Sequence, residues 1–202
     1  MTQPAAIPSP ATPVRYHVHQ KMTPLQNRYR IMADAGGQPG QLVAFAKQKR
    51  MAFKESFTLY GDESGSRPVL TITADRRIDV RSAMTVRDPA GAVVGTLRKK
   101  GAASLLRSTW EMEQPGRPVV VVQERNVAVA LLRRLFGMVP FVGDLPVPWV
   151  FHFDGTVGDR LVLTHTRLWG IRDRYVLELF DPSLDSRLAI ALAVCLDAMQ
   201  KR

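Results

Sequence analysis

The sequence predicts a mainly β protein (α+β) in which about twelve antiparallel strands close into a barrel around a hydrophobic C-terminal helix. Three observations carry this. Leu188 to Leu196 reads Leu-Ala-Ile-Ala-Leu-Ala-Val-Cys-Leu with no polar position, and a helix apolar on every side must be wrapped by protein or lipid. Upstream of it, apolar residues alternate with period two in short segments bounded by Gly, Pro and Asp, the pattern of a sandwich or barrel. A closed barrel also hides its strand edges, and a central helix fills a lumen too wide for strand side chains alone.

The alternating segments are 14–21, 29–33, 42–47, 55–60, 69–73, 83–87, 93–98, 109–113, 119–124, 149–153, 161–166 and 174–180. Two turns echo one another: Ala33-Asp34-Ala35-Gly36-Gly37 and Arg87-Asp88-Pro89-Ala90-Gly91 both end a strand at Asp and turn through Gly. His152-Phe153-Asp154-Gly155 is a candidate third instance. The segment 126–136 breaks the β rhythm, with Val127, Leu131, Leu132 and Leu135 on one helical face, Asn126 to cap it and Gly137 to end it. The apolar stretch 138–149 that follows is either a plug over one barrel end or a surface that dips into a bilayer with Arg133 and Arg134 at the headgroups.

The closing helix is predicted over 182–200, with Asp181 as N-cap and Pro182 at the first helical position, where its missing N–H costs nothing. A membrane span needs about 20 mostly apolar residues. The uninterrupted run here is about half that, and Asp185, Arg187 and Asp197 flank it, so no transmembrane insertion is expected. Residues 1–13, rich in Pro, Ala, Ser and Thr, read as a disordered leader without an export signal, and 14–202 as one domain.

The chain has 202 residues, 46% of them hydrophobic, enough for one full core. Its single cysteine, Cys195, lies inside the apolar helix; it excludes an intramolecular disulfide, reads as structural filling and suits a reducing cytosol. With 28 basic and 18 acidic residues the net charge is +10. The excess is concentrated between Arg76 and Arg107, where Arg76, Arg77, Arg81, Arg87, Arg98, Lys99, Lys100 and Arg107 face only Asp79 and Asp88. Such a field draws anionic lipid, nucleic acid or an acidic protein, unless it only solvates the outer strand faces. No aromatic residue interleaves with these cations, so nucleic-acid binding by base stacking is not expected.

Common nucleophile, phosphate-loop, dinucleotide and zinc signatures are absent from the sequence, so no catalytic residue or cofactor is assigned. His17 and His19 share one strand face and His152 and His165 lie on late strands, but without a cysteine or acidic partner at ligand spacing no metal site is assigned. Asp197 follows the apolar run at a helix C-terminus, where the dipole disfavours negative charge. Either it emerges into water, or a barrel-wall Arg or a set of backbone N–H groups holds it and sets the helix register.

Ala44-Phe45-Ala46-Lys47-Gln48-Lys49, Val86-Arg87-Asp88-Pro89-Ala90-Gly91-Ala92-Val93-Val94-Gly95, Leu106-Arg107-Ser108-Thr109-Trp110 and Arg174 to Leu179 followed by the apolar helix with Leu196-Asp197-Ala198-Met199 resemble the tubby-like barrel superfamily. Within it the likeness is to LURP-one-related and phospholipid scramblase-like proteins, over about residues 14 to 200. The resemblance implies a twelve-stranded barrel threaded by its C-terminal helix and an association with phospholipid. It does not carry calcium dependence or acylation across, because the stretch before the final strand, Trp169 to Arg174, holds two arginines and no cysteine.

The expectation is therefore a non-enzymatic cytosolic protein, peripheral at the inner membrane face, that docks on anionic phospholipid through Arg76, Arg77, Arg98, Lys99 and Lys100. The alternative is a scaffold for a protein partner or small apolar ligand, using the surface from Phe141 to Trp149.

Overall fold

The computed structural model describes residues 12–22, 26–49, 56–74, 83–100, 108–125, 152–169 and 173–200. The chain forms strands β1 (Val14–Met22), β2 (Gln26–Ala35), β3 (Gln38–Lys49), β4 (Ser56–Tyr60), β5 (Pro68–Ala74), β6 (Ala83–Arg87), β7 (Val93–Lys99), β8 (Thr109–Glu113), β9 (Val120–Glu124), β10 (His152–Val157), β11 (Arg160–Leu168) and β12 (Arg174–Leu179), then helix α1 (Ser186–Gln200). Each strand pairs antiparallel with the next, and β1 pairs with β12 from Val14 opposite Leu179 to His19 opposite Arg174, which closes the barrel. The sequence prediction of twelve strands around a helix holds.

Alternation sends one face of each strand inward. Phe57 and Leu59 of β4, Leu70 and Ile72 of β5, Val120 and Val122 of β9, and Tyr175, Leu177 and Leu179 of β12 are all buried against α1. In the lumen, every residue from Leu188 to Leu196 is buried, Cys195 with its free thiol included. This enclosure is what the all-apolar run required.

Strand alternation gives the barrel two unlike ends. At the hairpin end, short turns join β2 to β3, β4 to β5, β6 to β7, β8 to β9 and β10 to β11. Gly36 and Gly37 both take positive φ (64° and 85°), as a two-residue hairpin turn demands. β12 also finishes at this end and feeds α1, which runs back through the lumen to the opposite, exit end. The six connections at the exit end, 23–25, 50–55, 75–82, 101–107, 126–151 and 170–172, lie outside the described residues. So do the helix expected over 126–136, the apolar stretch 138–149 and nearly all of the leader expected over 1–13.

Two boundaries are corrected. Strand β10 was predicted at 149–153 with a turn at Asp154-Gly155, but it occupies His152–Val157 and turns at Gly158-Asp159. Gly155 is there for packing: a Cβ on it would lie 2.5 Å from Leu163 Cγ, and the ladder shifts register beside it. The helix starts at Ser186, not at Pro182. Asp181 caps a preceding turn, accepting from the Ser183 backbone N (2.9 Å) and Oγ (2.6 Å). Asp185 is the true N-cap: its carboxylate accepts from the Arg187 backbone N at 2.9 Å, and its carbonyl accepts the first helical bond from Ala189 N at 3.1 Å.

Candidate functional site

Of the cations assigned from sequence, Arg98, Lys99 and Lys100 sit where β7 reaches the exit end. Arg98 lies on the outer face, 3.9 Å from Glu113, and Lys100 pairs with Glu111 at 2.7 Å. Lys99 shares the parity of lumen-facing Leu97 and lies at the rim, half-buried. Arg76, Arg77, Phe141 and Trp149 lie outside the described residues. The strand ends that flank their segments, Ala74 and Ala83 for the first pair and Arg125 and His152 for the second, are at the same exit end as Arg98 to Lys100.

Other cations gather at this end that no run of sequence announced. Lys21, Arg28, Lys47 and Arg174 stand on β1, β2, β3 and β12 near the exit end, and no carboxylate pairs with them among the described residues. The carboxylates at this end are already engaged. Asp154 accepts a two-pronged bond from Arg125 (2.6 and 2.7 Å), and Asp173 accepts from Arg167 at 2.6 Å. The positive field registers on His19, whose pKa is lowered by burial first and then by Arg174, His17 and Arg30. The hairpin end is different: Asp34, Asp62, Glu63, Asp88, Asp159, Glu178, Asp181 and Asp185 outnumber Arg15, Arg67, Arg87, Arg117, Arg160 and Arg187 among the described residues.

Inside the exit end the helix is held by a polar clamp. Asp197, 4% exposed, accepts a hydrogen bond from Tyr29 Oη at 2.8 Å through Oδ2 and a short one from Tyr175 Oη through Oδ1. Gln20 Nε2 in turn donates to Tyr29 Oη at 3.0 Å. Burial, and then the Asp197 charge, push both phenol pKa values well above the tyrosine range, so both hydroxyls stay protonated donors. Of the two readings of Asp197, the barrel wall does hold it, but the donors described are tyrosines and not an arginine or backbone N–H groups.

His165 completes this interior. It is buried, stacked on Tyr175 at a 5.0 Å centroid distance and 12° between planes, and neither ring nitrogen has a hydrogen-bond partner. Burial, with a smaller push from His152, lowers its pKa to about 3. The histidines do not converge. His17 faces Asp34 Oδ1 (2.7 Å) and His152 faces Asp154 Oδ1 (3.1 Å), both on the outer wall, while His165 lines the lumen. Among the described residues no three His, Cys, Asp or Glu side chains come together as a metal site. Burial raises the Cys195 thiol pKa, which leaves no reactive thiolate. A shallow groove of ≈ 220 Å³ on the outer wall is lined by Gln123, Glu124, Arg125 and Asp154, and its guanidinium is already taken by Asp154.

A closed twelve-stranded antiparallel barrel skewered by its own C-terminal helix, with that helix pinned at the exit end, defines a tubby-like barrel protein. The family model described as LURP-one-related matches residues 42–197, and the chain belongs to the LURP-one-related family. The match opens inside β3, so β1 and β2, which complete the closure, precede it. No curated protein matches the chain.

Proposed function

We propose that this protein docks, without catalysis, on the anionic phospholipid surface of a membrane from the cytoplasmic side, as a peripheral protein. One observation supports it above the rest: cations gather at the exit end in excess of its carboxylates, Lys21, Arg28, Lys47 and Arg174 having no carboxylate partner among the described residues, while acidic groups prevail at the hairpin end. That segregation exceeds what solvation of strand faces needs. The contacts are Arg98, Lys99 and Lys100, with Arg76 and Arg77 from the connection between β5 and β6. Attachment is to the surface, since no helix among the described residues is long and apolar enough to cross a bilayer, and α1 is committed to the core.

Vesicle flotation tests this. Bound fraction should rise with phosphatidylserine content and fall between low and high salt, as a surface-charge interaction must. With about 1 kcal/mol for each cation near an anionic surface, Arg98→Ala/Lys99→Ala/Lys100→Ala should weaken partitioning by one to two orders of magnitude. Binding indifferent to lipid charge, or to salt, would refute the reading.

A further inference from the structure

We propose that the docking face includes a second, aromatic-anchored site across the barrel from Arg98 to Lys100, so that the protein meets an anionic bilayer end-on. The inference rests on the reading above and extends it to residues that no sequence pattern assigned. Its first observation is a row of like charges. On the outer face near the exit end, Lys21 is directly opposite Arg28, and Arg28 directly opposite Lys47, on the adjacent strands β1, β2 and β3. Strands lie about 4.8 Å apart, so three cations fall within roughly 10 Å. Like charges in cross-strand register destabilise a sheet. At the hairpin end the comparable cross-strand position holds an opposite-charge pair, Arg15 opposite Glu178 at 2.7 Å. No carboxylate among the described residues offsets the row, Lys47 resting only over the Phe45 ring at 5.5 Å, and an anion that arrives from outside explains it.

The second observation identifies that anion as a lipid surface. Trp169, at the exit end of β11, is 73% exposed, the most exposed large apolar side chain among the described residues, and Leu168 beside it is 37% exposed. Leu168 is opposite Arg174, and Arg174 is opposite His19, two residues from Lys21. The outer face thus runs from Leu168, next to the exposed indole, through a guanidinium to the cationic row. An amphipathic aromatic ring beside lysines and arginines is the composition of a membrane-interface anchor, in which the ring enters the headgroup layer while the cations meet the phosphates. A soluble polyphosphate would use the cations and leave the indole in water.

The strand order places the site. β7 is six strands from β1 in a ring of twelve, so the two cationic groups stand on opposite sides of the exit end. A bilayer that touches both must lie across that end, with the acidic hairpin end directed away.

The test uses the full chain with vesicles of phosphatidylcholine containing 30% phosphatidylserine (about that fraction suffices for a cytoplasmic-leaflet surface potential). Lys21→Ala/Arg28→Ala/Lys47→Ala should weaken partitioning by roughly 100-fold, at about fivefold for each cation. It should also melt at or above the wild-type temperature, because it relieves the charge row; a structural role would lower it. Trp169→Ala should weaken binding about tenfold, and brominated lipid should quench wild-type tryptophan emission more than that of Trp169→Phe. If both variants bind like wild type while Arg98→Ala/Lys99→Ala/Lys100→Ala does not, the second site is wrong and the docking function stands. If wild type ignores these vesicles, both fall. Loss of short-RNA-duplex binding in the triple variant, with vesicle binding intact, would also overturn the proposal.

Discussion

The two ends of this barrel hold the same helix by different chemistry. At the hairpin end the helix is held by capping and backbone contacts: Asp185 caps its own helix, and Gln114 from the turn after β8 accepts from Asp185 N at 2.8 Å and donates to Ser183 O at 3.2 Å. Leu188 packs straight onto the backbone of Gly95. At the exit end the helix is fastened by a buried carboxylate between two tyrosines, one of them 168 positions away, and the outer wall carries cations in like-charge register. The first end is arranged for stability alone. The second spends stability on its surface and recovers it inside, which is the pattern expected where function intrudes on a fold.

The strongest way to break that contrast is Asp197→Leu. It leaves the Tyr29 and Tyr175 hydroxyls buried without their shared acceptor and removes two hydrogen bonds to a charged group, each worth about 1.5–3 kcal/mol. The expected cost is roughly 3–5 kcal/mol, a fall of about 10 °C in Tm for a domain of this size. Thermal and urea denaturation will read it, and an unchanged melting temperature would show that the clamp contributes nothing.

Gly95→Ala probes the other end. A Cβ there would lie 2.4 Å from the Glu113 carbonyl oxygen and 2.5 Å from Leu188 Cδ2, and the backbone atom cannot rotate away. Overpacking of this kind costs about 1–3 kcal/mol. The loss should appear in denaturation while vesicle binding by the folded protein stays at wild-type strength. A variant as stable as wild type would mean that the helix does not seat against β7 this closely.

The architecture was legible because its signals are local. Leu188 to Leu196 has no polar face, period-two segments stand at each of the twelve strands, and Asp34 with Gly36-Gly37 encodes a turn within four residues. Local signals also misled. Asp154-Gly155 has turn chemistry, yet Asp154 is engaged by Arg125 and Gly155 makes room for Leu163. Asp181-Pro182 has helix-start chemistry, yet Asp185 is the cap that α1 uses. What sequence could not show was convergence. Tyr29, Tyr175 and Asp197 share no motif and meet only because β2 and β12 flank β1 in the closed ring. Arg98-Lys99-Lys100 is a visible run, whereas Lys21, Arg28 and Lys47 become a cluster only through strand register.

The smallest effect sharpens the comparison by pH. His165 is buried beside the clamp with both ring nitrogens unpartnered, and its pKa is lowered to about 3 from the usual 6.5. The folded state therefore binds a proton less readily than the unfolded chain. This group costs the fold nothing above about pH 6.5, and stability falls as pH drops from there toward 3. At pH 5 the loss is about 2 kcal/mol, one and a half pH units at 1.36 kcal/mol each. His165→Phe keeps a ring against Tyr175 and removes the titration. Its stability should fall less than that of wild type between pH 7.5 and 5, by about one proton's slope. The carboxylates held low by their partners, Asp34, Asp154, Asp181 and Asp185, lose their contributions only in more acidic solution and do so equally in both proteins, so the difference between the two curves belongs to the exit end. Parallel curves would place His165 in contact with a proton acceptor and remove it as a source of acid sensitivity at this end.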